Sequence, residues 1–122
     1  MDIRDIPQQY HKVTLEVRDA YADCNCPETK VGYRRGMAKR NLHFKADQPV
    51  PASVARQIME MAVPGGYNGF EAKLLSHISG DVILAREGSV CLYLCPDAIM
   101  EGDLHENEND KQEDGTTRLW WD

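Results

Sequence analysis

The stretch Asp81-Val82-Ile83-Leu84-Ala85-Arg86-Glu87-Gly88-Ser89-Val90-Cys91-Leu92-Tyr93-Leu94-Cys95 decides the fold. Two runs of high β-propensity flank the turn pair Glu87-Gly88, and Pro96 closes the second run. Such an arrangement predicts a hairpin with strands over 81–86 and 89–95. The second run is apolar at nearly every position, which suits a central strand covered on both faces.

Working outward, Asn41-Leu42-His43-Phe44-Lys45-Ala46 alternates polar with apolar and predicts a half-buried strand over 41–46. Pro51 opens a helix whose face carries Val54, Ile58 and Met61 and which Pro64-Gly65-Gly66 ends. Asn68 followed by Glu71 resembles a capping box, and Phe70, Leu74 and Ile78 then form the buried face of a third helix ending at Gly80. A strand over 73–79 is its rival. Near the start, Asp5-Ile6-Pro7 reads as a helix start. Ile6, Tyr10, Val13, Val17 and Ala20 share one helical face, so a long first helix should run to about Asp23. Thr116-Thr117-Arg118-Leu119-Trp120-Trp121 has the composition of a strand returning to the fold.

The expected fold is thus α+β and a single domain: one long N-terminal helix and two shorter helices on a small, mostly antiparallel sheet with a C-terminal β-hairpin. Residues 1–100 form the compact part, 101–115 an acidic mobile loop and 116–122 a returning strand. The expected core holds Tyr10, Val13, Val17, Val54, Ile58, Phe70, Leu74, Ile83, Leu92 and Leu94. A chain of 122 residues buries such a core without cross-links. Met1 to Tyr10 carries Asp2, Arg4 and Asp5 and no apolar run, and no stretch has the length of a membrane span. These features predict a soluble cytoplasmic protein with no membrane partner.

Charge is divided along the chain. Residues 97–122 carry nine carboxylates against Lys111 and Arg118, a net of −7, whereas residues 1–96 sum to +1. Within the near-neutral part, Lys30, Arg34, Arg35, Lys39, Arg40 and Lys45 form a basic block with no acid from Val31 to Ala46. Segments of opposite sign point to binding by charge, to a partner or to each other, within one chain or across a homodimer.

No catalytic signature accompanies this pattern. Ser53, Ser76, Ser79 and Ser89 lack a nucleophile elbow, the Pro64–Gly69 loop has no phosphate-binding lysine, and His11, His43, His77 and His105 belong to no metalloenzyme motif. His77 is expected on or beside the buried face of the third helix, and His43 in solvent beside Lys45. Four cysteines without an export signal read as free, buried or metal-bound thiols. Cys91 and Cys95 stand about 13 Å apart along one strand face, too far to share an ion. Cys24 and Cys26, completed by His43 or His11, are the candidate zinc ligands, against the plainer reading of two turn cysteines without a role.

Three functions are compatible with these residues. The leading one is a non-enzymatic protein that docks on a basic, nucleic-acid-binding protein partner, in the manner of inhibitor, immunity or phage counter-defence proteins. Asp103, Glu106, Glu108, Asp110, Glu113 and Asp114 would steer it, and Trp120 or Trp121 would anchor it. Core closure by at least one tryptophan is the competing account. The second is nucleic-acid contact through Arg34, Arg35, Lys39 and Arg40. The third is the small zinc protein. The leading reading needs no cofactor.

Overall fold

The computed structural model describes residues 3–22 and 43–122. It is α+β: among the described residues two α-helices and several 3₁₀ turns pack on one face of an antiparallel sheet of six strands, beside a second, two-stranded sheet. The first helical region differs from expectation at its start. Pro7 lies outside the helix, as the extended N-cap residue of the turn that follows, and a proline biases the residue before it, here Ile6, away from helical geometry, so no helix continues upstream through Asp5-Ile6-Pro7. A 3₁₀ turn at Gln8–Tyr10 then runs directly into α1, His11–Ala20. Val13, Val17 and Ala20 are buried on its inner face, Ile6 joins them from the preceding turn, and Tyr10 is half-buried against them. The helix stops at Ala20, short of its expected end near Asp23: Tyr21 is the C-cap and Tyr21–Ala22 already form a turn, Ala22 N donating to Asp19 O at 3.3 Å.

Strand β1, His43–Lys45, leads through a short connector to β2, Val50–Pro51, and then to α2, Ala52–Ala62. Val54, Ala55, Ile58, Met59 and Ala62 recur at helical spacing and are buried on α2. The chain then departs from the predicted third helix. Tyr67 and Phe70 exchange two backbone hydrogen bonds of 2.9 Å around Asn68 and Gly69, whose φ values of 49° and 88° define a tight two-residue turn. Asn-Gly strongly favours this geometry, and its preference overrides the capping signal. The Asn68 amide donates to Ser89 Oγ at 3.0 Å and caps nothing. A 3₁₀ turn at Ala72–His77 follows, then the short strand β3, Ile78–Ser79. The tighter turn buries Phe70, Ala72, Leu75 and Ile78, leaves Leu74 half-buried and turns His77 into solvent, against its expected place at the buried face.

The decisive hairpin forms as the sequence predicts. Strand β4, Asp81–Glu87, pairs with β5, Ser89–Leu94, and Gly88 sits at the apex with φ 74°. Strands β6, Ile99–Met100, β7, Glu108–Lys111, and β8, Thr117–Trp120, complete the set. The large sheet runs β1-β4-β5-β8-β7, with β2 also on β4, while β3 pairs with β6. Residues 101–115, expected to lack a strand, therefore contain β7, which the partnership with β8 draws into the sheet.

Alternation assigns the faces. Val82, Leu84, Val90, Leu92, Leu94 and Leu119 face the helices and form the core with them. Ile83, Cys91, Tyr93, Arg118 and Trp120 occupy the opposite, outer face. Beyond β8 the chain turns Trp121 back to the core side. Its backbone N–H donates to Val90 O at 3.0 Å, its indole N–H donates to Leu104 O at 3.0 Å, and its ring meets Phe70 edge-on at 4.9 Å. It is 0% exposed. At Gly80, φ is 103° and an added Cβ would stand 2.9 Å from Ala98 Cα, so only glycine fits between the two sheets.

Trp121→Ala should cost about 3–5 kcal/mol in urea unfolding, the range for deleting a buried tryptophan side chain. Trp120→Ala, on the partly exposed outer face, should cost well under half of that.

Candidate partner-binding surface

The outer face of the sheet gathers side chains from distant parts of the sequence. Glu87 ends β4, and the β4–β5–β8 register carries Arg118 to it. The guanidinium donates to both Glu87 carboxylate oxygens, at 3.0 and 3.2 Å. Tyr93 OH donates to the same carboxylate at 2.6 Å and Cys91 Sγ at 3.3 Å. Trp120 donates its indole N–H to Glu87 O at 3.0 Å, and Lys45 places its ammonium 4.1 Å from the Tyr93 ring centre. On the other side Arg118 meets Glu108 at 2.5 Å and Asp110 at 3.8 Å. A single guanidinium thus ties β4, β7 and β8 together.

This geometry sets the titration of the cluster. The Arg118 guanidinium, helped by Tyr93 and Cys91 and opposed by burial, holds the Glu87 carboxyl down at about 2. Burial and the Glu87 carboxylate push the Cys91 thiol up to about 12 and Tyr93 above its ordinary range. Glu87 above all raises Arg118. Cys91 is therefore a neutral thiol at physiological pH, a weak donor rather than a nucleophile. Burial, with Asp81, Asp114 and Asp97 nearby, raises Cys95 as well.

The six nominated acids all lie on or beside the β7–β8 hairpin, but several of them also build it. Asp103 accepts from His105 N at 2.8 Å, and Glu106 accepts from Leu104 N at 3.2 Å and from the Asn109 amide at 3.0 Å. Asp114 accepts from Thr116 N and Oγ1, and the Thr116 hydroxyl chiefly lowers its pKa. Glu108, Asp110 and Glu113 are exposed, the first two beside Arg118. The tryptophans separate: Trp120 is half-buried on the outer face, while Trp121 lies wholly in the core and has no surface to offer a partner. Adjacent residues of an extended chain point to opposite sides, and Trp121 takes the side of Leu119.

His43 is exposed on β1, where a shallow concavity is lined by His43, Phe44, Lys45, Arg86 and Glu87. Cys24, Cys26, Arg34, Arg35, Lys39 and Arg40 lie outside the described residues. Among the described residues no three His, Cys, Asp or Glu side chains converge to hold a metal ion, and no helix is long and apolar enough to cross a membrane. An open groove of about 670 Å³ runs between α2 and the 72–77 turn, past Ser53, Arg56, Gln57, Glu60 and Ser76. Arg56 is bound to Glu60 at 3.1 Å and Ser76 to Lys73 O at 2.7 Å, so two of its polar groups are held locally. No motif in the sequence points to the Glu87–Arg118 cluster. Its one trace in the sequence is Arg118, a cation amid acids within a strand-forming run.

Compared with known proteins, the chain matches no family model, no curated protein and no solved structure.

Because its folded-state pKa is depressed, Glu87 contributes stability that is present above about pH 4.5 and lost as pH falls toward 2. Glu87→Gln should be less stable than wild type at pH 7, and the difference should shrink across that acid window when urea midpoints are compared at successive pH values.

Proposed function

We propose that the chain is a non-enzymatic binding protein that docks on the basic surface of a protein partner through its acidic hairpin. The observation that supports this is the placement of the acids: Glu108 and Asp110 stand exposed on the edge strand β7, fixed by its pairing with β8, and Glu113 stands exposed in the turn that joins the two strands. An acidic surface held in one geometry steers a cationic partner and loses less entropy on docking than a free tail would. Trp120, half-buried beside this edge, supplies apolar area next to the charges. An inhibitor or immunity-type protein that covers the nucleic-acid-binding face of its partner is the role this layout fits best.

Removing residues 101–122 would delete β7, β8 and Trp121 and with them part of the core, so the test uses substitutions. A partner captured from the native host and identified should associate about tenfold more slowly with the combined Glu108→Gln, Asp110→Asn and Glu113→Gln variant at low salt. The difference should narrow as salt is raised. An association rate unchanged by the three substitutions, in folded protein, would overturn the reading.

A further inference from the structure

Among the described residues strand β7 is the last strand of the sheet order, and all four of its residues are exposed. Its hydrogen-bonding phase follows from the hairpin. Gln112 N donates to Thr116 O at 2.8 Å, directly across the ladder, so Asp110 faces Arg118 as a hydrogen-bonded pair two residues on. Asn109 and Lys111 are then the intervening residues, and their backbone N–H and C=O groups point away from β8 into solvent. Among the described residues β7 therefore offers an open row of main-chain donors and acceptors at the rim of the sheet.

Side chains on this rim specify what can add to it. Glu108 and Asp110 lie on the outer face beside Arg118 and Trp120. Together with Glu87 they set three carboxylates around one guanidinium, an excess of two negative charges. A second copy of the chain is a poor occupant. Antiparallel registers that match the outward groups pair Asn109 with Asn109, Asn109 with Lys111, or Lys111 with Lys111. The first sets Glu108 against Asp110, the second Asp110 against Asp110, and the third lysine against lysine. Like charges directly opposite are destabilising, so the edge is guarded against itself.

Resting on the reading of an acidic docking surface, we propose that β7 takes up an extended segment of the partner by strand addition, the segment carrying lysine or arginine at alternate positions. Main-chain bonds form at Asn109 and Lys111. The intervening basic side chains stand opposite Glu108 and Asp110 on the outer face, where the uncompensated charge lies.

A labelled peptide of alternating lysine and threonine, followed by fluorescence anisotropy, tests this. Wild-type protein should bind it, more weakly as salt rises. Asn109→Pro removes an outward N–H while leaving the ladder to β8 intact, and should weaken binding by about tenfold. The same peptide methylated on its threonine amides, the groups that would meet β7, should lose a similar factor against wild-type protein. That arm keeps the test intact if the proline variant does not fold. No binding by wild type, or equal binding by the proline variant and the methylated peptide, overturns strand addition. In the latter case a loss on Glu108→Gln with Asp110→Asn still supports docking by charge, whereas full binding by that double variant counts against both.

Discussion

The insertion of β8 between β5 and β7 is the constraint on which the rest of the molecule depends. β5 is hydrogen-bonded to β4 along one edge, and because the strand is almost wholly buried the backbone N–H and C=O groups of its other edge need a second neighbour. β8 provides it, placing Leu119 in the core and carrying Trp121 into contact with Phe70. With β8 fixed, the acidic stretch before it is anchored close to its end and must lie along the sheet. The acids of the hairpin owe their geometry to hydrophobic burial that they do not share.

Electrostatics then finishes what burial begins. Arg118 is alternately placed to Leu119, so the register that buries the leucine necessarily turns the arginine outward, toward Glu87. The pair lies at the sheet surface, where an isolated ion pair contributes little. Here geometry raises its worth: the carboxylate is gripped by two guanidinium bonds and by Tyr93, and the same guanidinium holds Glu108 of the edge strand. The cluster orders β7, whose own Glu-Asn-Asp-Lys sequence has almost no preference for a strand.

What the sequence disclosed and what it hid follow from the range of the interactions involved. The β4–β5 hairpin was legible because its strands and turn are contiguous and its pattern is strong. α2 was legible because proline opens it and a Pro-Gly-Gly run ends it. Of the expected core, Val13, Val17, Val54, Ile58, Phe70, Leu92 and Leu94 are buried, while Tyr10, Leu74 and Ile83 lie at its margin. The third helix failed where two local signals competed, Asn68 as a cap and Asn68-Gly69 as a turn. The acidic hairpin was legible as charge and not as structure, since β7 exists only through its pairing with β8. The Glu87–Arg118 contact spans 31 residues and depends on a register that no local pattern encodes.

Trp120 and Trp121 are the chain's two tryptophans, and they are consecutive. One looks across the outer face to the main chain of Glu87, the other into the core beside Phe70. A single peptide unit therefore joins two chromophores with different surroundings. Emission from Trp121 reports whether the domain is folded, and emission from Trp120 reports what rests against the sheet. Replacing either one by phenylalanine gives a probe of a single property, read without any attached dye.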